Sequence, residues 1–201
     1  MAKVNWLNIQ PTTGSGNATV NVIANTSNTG RNERSVILVW KAANVENVDR
    51  TVKQSGKANY VDIDDTATSK KEGQLVTIKG MSNSAKLTFF LSEGELPVTL
   101  PETYVANSLV TTNGAPISGD PGATAEYEFA ITVEVGENKD VTEMKRQIIV
   151  RNELDQTDIC TLTLAAGAPY VTVAIGDVTL GWEAGSSATI DVQSNTTWEI
   201  V

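Results

Sequence analysis

Hydrophobic and polar residues alternate with a period of two along most of the chain, which is typical of β-strands that bury one face. The clearest segment is EYEFAITVEV at 126–135, where aromatic and β-branched residues alternate with polar or small ones. We therefore expect the following residues to share one buried face: Tyr127, Phe129, Ile131, Val133 and Val135.

The same alternation occurs in ATVNVIA at 18–24, ICTLTL at 159–164 and DVTLGWE at 177–183. Thr, Val and Ile are abundant, and Gly, Asn and Pro separate the segments. Only 139–147, KDVTEMKRQ, has a pattern that a short helix could share. The sequence therefore predicts an all-β fold of two-faced strands packed as a sandwich. The residues expected inside these three segments are Val20, Val22, Cys160, Leu162, Leu164, Val178, Leu180 and Trp182.

An internal repeat relates segments that lie 110 to 112 residues apart. NYVDI from Asn59 matches PYVTV from Pro169, and GQLVTIKGMSNS from Gly73 matches GSSATIDVQSNT from Gly185. Two shorter matches complete the second half of the repeat, and they align Arg34 with Arg146 and Thr51 with Thr161. Asn83 and Asn195 coincide in this alignment, as do Ile78 and Ile190.

The repeat divides the chain into one complete module and one split module. Residues 59–168 form the complete copy, with a long loop insertion, whereas 1–58 form a second half and 169–201 a first half. The chain stops on TTWEIV, which reads as an unfinished strand with an open edge. Closure of 169–201 on 1–58 within one chain is the simplest expectation. Strand exchange between copies and continuation in a longer chain are the alternatives.

Short motifs in the split copy resemble the BACON domain, an Ig-like β-sandwich common in Bacteroidetes proteins. The residues that match its pattern are Ser194-Asn195-Thr196-Thr197-Trp198, Trp6-Leu7-Asn8-Ile9, Pro11, Gly14, Gly16, the segment from Asn25 to Arg34, and Val52-Lys53-Gln54-Ser55-Gly56. The middle copy keeps Ser82-Asn83 but has Lys86 at the tryptophan position.

The resemblance implies tandem Ig-like modules and two possible settings. BACON modules occur as carbohydrate- or mucin-binding appendages of secreted proteins, and also in virion proteins of tailed phages that infect gut Bacteroidetes. Because one fold serves both uses, the fold does not decide between them.

Charge and composition exclude several partners. Lys plus Arg is 15 and Asp plus Glu is 24, giving a net charge of −9. An acidic chain without a basic cluster is repelled by nucleic acid and by anionic membranes, so we expect neither partner. The amino terminus, MAKVNWLNIQ, has no apolar signal-peptide core, which favours a protein that stays in the cytosol where it is made, unless a signal has been removed.

We find no constellation that predicts catalysis, a cofactor or a metal site. The chain has no histidine, and its one cysteine, Cys160, lies on an apolar face and is expected in the core. The acidic stretch Asp62, Asp64 and Asp65 lacks the loop glycine and distal Glu of a calcium site and is expected to be a solvated turn. A row of glutamates, Glu126, Glu128 and Glu134, is expected on the solvent face of a strand rather than in a glycosidase cleft.

Candidate contact residues are few. We expect Trp6, Trp182 and Trp198 in the core, whereas Trp40 and Tyr104 are the candidate platforms for stacking on a sugar or partner. The loop NGAPISGDPGA at 113–123 carries two turn signals, at Asn113 and Asp120, and is interpreted either as a contact loop or as a solvated hairpin.

Two functions follow from the sequence. The favoured one is a non-enzymatic virion protein, a capsid decoration or head-fibre protein, whose partners are other virion proteins or copies of itself. The alternative is a carbohydrate- or mucin-binding module of a secreted Bacteroidetes protein at the cell surface, with host glycans as partners.

Overall fold

A computed structural model describes residues 4–174 and 176–201. Within these ranges the chain folds into β-strands and one short 3₁₀ turn, Pro121–Ala123, with no α-helix. The all-β class predicted from the alternation is therefore confirmed.

The middle region forms two sheets that face each other across one core. Its strands are β5 (Val61–Ile63), β6 (Thr66–Ser69), β7 (Gln74–Ser82), β8 (Leu87–Leu91), β9 (Val98–Thr99), β10 (Thr103–Ala106), β11 (Leu109–Thr112), β12 (Tyr127–Val135), β13 (Met144–Asn152) and β14 (Thr157–Leu164). The first sheet has the order β11-β10-β12-β7-β5, with β9 also on β12, and the second has the order β6-β14-β13-β8.

Alternation places the core where the sequence predicted it. In β12 the five odd-numbered residues from Tyr127 to Val135 are buried, and Glu128, Thr132 and Glu134 face solvent. Cys160, Leu162 and Leu164 on β14 are also buried, so the core assignments of this strand are confirmed. The short segment that could have been helical, 139–147, instead leads into β13, because its later residues pair with β14.

The amino-terminal region contributes two separate hairpin-like pairs. Its strands β1 (Leu7–Gln10) and β2 (Asn21–Ala24) pair with each other, as do β3 (Arg34–Trp40) and β4 (Val48–Gln54). Every residue of β2 is exposed, and Leu7 and Leu38 are the buried apolar side chains of the region. The strand expected around Val20 and Val22 therefore forms, but its apolar face is not covered.

The carboxy-terminal region has one short ladder, between β15 (Val171–Val173) and β16 (Val192–Ser194). The strand expected at 177–183 is absent, and Trp182 is 93% exposed. Trp198 is half exposed as well, whereas Trp6 is partly covered by the Arg34 guanidinium 5.0 Å from its ring. The core positions predicted for Trp182 and Trp198 are thus wrong in this structure, because no second sheet of the described chain lies over them.

Matching hydrogen bonds recur in the aligned segments. The amide oxygen of Asn83 accepts from Tyr60 N at 3.0 Å, and that of Asn195 accepts from Tyr170 N at 2.9 Å. The Ser82 hydroxyl donates to the carbonyl oxygen of Tyr60, and the Ser194 hydroxyl donates to that of Tyr170.

Matching hydrogen bonds also occur in the later part of the repeat, between residues that lie 110 positions apart. Asn28 Nδ2 donates to Asn32 O, and Asn138 Nδ2 donates to Thr142 O, both at 2.8 Å. The β3–β4 ladder, in which Arg34 faces Gln54, then superposes on the β13–β14 ladder, in which Met144 faces Leu164. Arg34 therefore corresponds to Met144, and its alignment with Arg146 was displaced by two residues, which leaves the face of the strand unchanged.

The two halves of the split module lie at opposite ends of the middle region. Residues 28–58 contact the end marked by Asn83 and Glu126, whereas Asn195 contacts Lys139 at the other end. The nine residues of β12 that separate these ends span about 27 Å. Among the residues described, no ladder or hydrogen bond joins 4–58 to 169–201, so closure within one chain is not the arrangement of this structure.

Candidate functional site

The four residues predicted to make contacts do not form one site. Asn113 and Asp120 share the loop between β11 and β12, Trp40 ends β3 in the amino-terminal region, and Tyr104 lies inside the core. Each of the four residues has different contacts, and these contacts indicate a different role for each.

Tyr104 is not a platform for ligands. Its side chain is 3% exposed and packs edge-on against Phe89, with ring centroids 5.0 Å apart. The interpretation from sequence was wrong because β10 is an inner-facing strand of the sheet rather than part of the loop next to it.

Asn113 fixes the beginning of the long loop to the opposite sheet. Its amide oxygen accepts from Phe89 N at 2.8 Å, and its amide nitrogen donates to Phe89 O at 3.0 Å. The side chain therefore takes the place of a neighbouring strand for Phe89, and its amide oxygen and nitrogen each bond within the chain.

Asp120 holds the loop against the amino-terminal region. It has a left-handed backbone conformation with φ of 41° and forms an ion pair with Arg31. The Arg31 backbone N–H donates to Gly122 O at 2.9 Å, and its Nε donates to Asn83 O at 2.6 Å. The loop is thus a contact loop, and the surface that it contacts belongs to the same chain.

We call this set of contacts the first junction, formed by Arg31, Asn83, Asp120 and Gly122. Asn83 is fully buried there, and its amide nitrogen donates to Ala58 O at 3.1 Å and to Thr29 O at 3.3 Å. A Cβ on Gly122 would lie 2.0 Å from the Asn83 carbonyl oxygen, so only glycine permits this approach.

The second junction, formed by Lys139, Ala168 and Asn195, repeats this geometry at the other end. The Asn195 amide nitrogen donates to Ala168 O at 3.0 Å and to Lys139 O at 2.7 Å, which correspond to Ala58 and Thr29. In each junction an asparagine therefore bonds to a loop of the preceding copy of the repeat and to the segment that connects the two copies.

An ionic cluster supplements the first junction. Lys57 Nζ lies 3.0 Å from Glu126 Oε2 and 3.7 Å from the centroid of the Tyr60 ring, and the Tyr60 hydroxyl donates to Glu126 at 2.8 Å. The hydrogen bonds from Tyr60 and Lys57 hold the pKa of Glu126 below its ordinary value. The carboxylate therefore remains ionised where it bridges the connecting segment and β12.

The exposed aromatic residues lie in the two halves of the split module. Trp40 is 42% exposed, in agreement with its proposed accessibility, and Trp182, Trp198 and Tyr170 are more exposed. The chain's four tryptophans are Trp6, Trp40, Trp182 and Trp198, so the middle region has none.

The acidic and thiol groups have structural surroundings. Asp64 Oδ2 accepts from Lys79 N at 2.9 Å, beside a shallow depression of about 290 Å³ that Asp62 and Asp65 also line. Burial raises the pKa of the Cys160 thiol to about 11. Among the described residues, no group of three or more carboxylate or cysteine side chains is placed to hold a metal ion.

Sequence reasoning identified only part of the junctions. The Ser-Asn dipeptides at 82–83 and 194–195 stood out through the repeat, and these asparagines are central to both junctions. The pairing of Arg31 with Asp120 was missed, because the residues are 89 positions apart and neither lies in a recognisable motif.

Comparison with known proteins adds no family assignment. No family model matches the chain, and no curated protein matches it. In the described part of the chain, no helix has the length and apolar character needed to cross a membrane.

Proposed function

We propose that this chain is a non-enzymatic structural protein built from Ig-like modules of the BACON kind, and that it serves as a decoration or head-fibre protein of a phage virion. The observation that carries the proposal is the repeated junction. Two successive module boundaries use the same asparagine contacts, 112 residues apart.

Repeated junctions favour a mechanical role. Each boundary is fixed by hydrogen bonds to main-chain carbonyls, and the first is reinforced by Arg31–Asp120 and by Lys57–Glu126. Contacts of this type hold consecutive modules in a defined orientation, whereas a flexible linker would leave them free to rotate. A defined orientation in a linear series of sandwiches suits an element that projects from a particle.

The test is the protein content of purified phage particles from the culture in which the gene is expressed. We expect mass spectrometry to detect the chain in particles at a fixed ratio to the major capsid protein, and gold-labelled antibody to mark one part of the particle. Absence from particles, with the chain recovered in the supernatant or at the cell surface, would contradict the virion role.

A second function, binding of carbohydrate or mucin at the cell surface, is favoured by one observation. Trp40 and Trp182 expose indole rings of the kind that stack on the apolar face of a sugar. A glycan array that includes mucin O-glycans tests it, with Trp40→Ala and Trp182→Ala as variants. Binding that either variant abolishes would support this function over the virion role.

A further inference from the structure

The complete module shows how its two halves depend on each other. Three ladders join the first half to the second: β7 pairs with β12 over the whole of Tyr127–Val135, β8 pairs with β13, and β6 pairs with β14. Each half alone would leave the edges of these strands without partners and the faces between the sheets uncovered.

The split module shows that condition in both halves. The amino-terminal half holds β2, β3 and β4, the counterparts of β12, β13 and β14, and no other strand of the described chain pairs with them besides β1 within the half. The carboxy-terminal half holds the counterparts of β5 and β7, and its segments 176–191 and 195–201 form no strand.

Several apolar residues of the two halves are more exposed than their counterparts in the complete module, where the halves pair with each other. Ile78 is fully buried between the sheets, whereas its counterpart Ile190 is 54% exposed. Val150 is also fully buried, and its counterpart Trp40 is 42% exposed.

The same contrast holds on β2. Asn25 N donates to Trp6 O as Gly136 N donates to Pro97 O, both at 2.8 Å, which aligns Val22 with Val133. Val133 is fully buried and Val22 is 41% exposed. Val22, Trp40 and Ile190 therefore lie at the surface although their counterparts form the core of the complete module, whereas Leu38 is buried like its counterpart Ile148.

The two halves also carry opposite charge. Residues 4–58 include six Lys and Arg against three Asp and Glu, in a chain that is acidic as a whole. Residues 169–201 include four Asp and Glu and neither Lys nor Arg. The two halves are thus opposite in net charge, which favours their association, and the repeat relates their strands to strands that pair in the complete module.

We propose that residues 169–201 of one copy complete the open sandwich of residues 4–58 of a second copy, head to tail. The proposal deepens the structural role proposed above and rests on it. By the register of the complete module, residues 186–194 add to β2, residues 199–201 lie opposite residues 40–42 at the end of β3, and residues 176–179 add to β4. The occupant is a second copy because the halves of one chain lie at opposite ends of the middle region.

Head-to-tail pairing has a consequence for assembly. Each completed module would have a first junction on one side and a second junction on the other, so modules would continue in a linear series. An interface between two different surfaces of the same chain propagates unless rotation closes a ring. The protein therefore assembles into fibres or short oligomers whose repeat is one chain.

The experiment measures the mass of the full chain by sedimentation velocity over a range of concentrations, with tryptophan fluorescence as a second readout. Since every tryptophan lies in a split half, completion should shift the emission maximum to the blue as mass increases. We expect species larger than the monomer for the natural chain. A chain that remains monomeric with unshifted emission at all concentrations would overturn the proposal.

Two variants each disable one half. Ile190→Asp and Val22→Asp should each give monomers, whereas Leu75→Asp, which places the same charge at an exposed leucine of the middle region, should assemble like the natural chain. Mixing the Ile190→Asp chain with the Val22→Asp chain leaves one intact pair of halves, so the mixture should form dimers and nothing larger. Failure of the mixture to form dimers, or loss of assembly in the Leu75→Asp chain, would contradict the register proposed here.

The outcomes separate this inference from the proposed function. Monomers in solution together with the chain's presence in phage particles would remove the head-to-tail pairing and leave the virion role. Assembly in solution together with absence from particles would do the reverse.

Discussion

Two buried tyrosines of the same core differ in what their hydroxyl groups contact. The Tyr127 hydroxyl donates to Ser84 O at 2.8 Å, whereas the Tyr104 hydroxyl has no hydrogen-bond partner among the described residues. Removing a satisfied buried hydroxyl leaves its acceptor unpaired, but removing an unsatisfied one relieves a desolvation cost. The two side chains therefore form a matched pair for substitution.

We expect Tyr127→Phe to lower the free energy of unfolding by about 1–2 kcal/mol. Tyr104→Phe should leave it unchanged or raise it. Urea denaturation followed by circular dichroism measures both. Equal losses for the two variants would show that Tyr104 has a partner that this account omits.

Gly122 tests how closely the loop approaches Asn83. A methyl group at position 122 would meet the Asn83 main chain, which cannot move without disturbing the five hydrogen bonds that Asn83 makes with other segments. We expect Gly122→Ala to lower the free energy of unfolding by about 1–3 kcal/mol.

Gly14→Ala is the control for this change, since the nearest atom to its added Cβ is 4.0 Å away. The control should be nearly neutral in the same denaturation experiment. A neutral Gly122→Ala variant would mean that the loop does not contact Asn83 as described.

At the scale of elements, the connecting segment between modules is tied to β12 through Glu126. Because the pKa of Glu126 in the folded chain is lowered, its ionised form stabilises the fold above the ordinary glutamate pKa, and this contribution is lost as the pH falls through the lowered value. The first junction should therefore loosen in acid.

We expect Glu126→Gln to be less stable than the natural chain at neutral pH, and the difference should shrink as the pH falls below about 4. Glu128→Gln, on the exposed face of the same strand, is the control and should show no such dependence. A difference for Glu126→Gln that persists unchanged in acid would exclude the ionic contribution.

Elements whose partners lie within the chain were predictable, and those without partners were not. The alternation in β12 and β14 correctly predicted that they are strands and which residues they bury. Neighbouring strands pair with them, and the facing sheet covers their apolar side. DVTLGWE at 177–183 has an equally clear pattern, but it forms no strand and exposes Trp182. A local pattern specifies which face is apolar, and a strand forms only where a neighbour accepts its hydrogen bonds.

The candidate contact residues show the same limit at longer range. Asn83 and Asn195 were found through the repeat, which is a property of the sequence. The pairing of Asp120 with Arg31 and the burial of Tyr104 depend on how distant elements pack, and no short motif carries that information.

At the scale of the whole molecule, the two-sheet core of the middle region is contacted at opposite ends by residues 4–58 and residues 169–201. The repeated junctions fix this order, and the opposite placement of 4–58 and 169–201 explains why apolar residues that should be buried are exposed. Separation of the halves within one chain is the central claim, because both the linear array and the head-to-tail pairing depend on it.

The most direct measurement is the distance between spin labels at Asn21→Cys and Thr189→Cys, with labelled chain diluted into excess unlabelled chain. Dipolar broadening of the continuous-wave spectrum detects short distances, and double electron–electron resonance measures long ones. In the complete module the equivalent residues, Thr132 and Thr77, face each other across a ladder, one strand spacing of about 5 Å apart. The native Cys160 is buried and should not react with the label. We predict only distances beyond about 27 Å in the diluted sample, with short distances appearing when all chains are labelled. A short distance in the diluted sample would show that the halves close within one chain and would contradict this account.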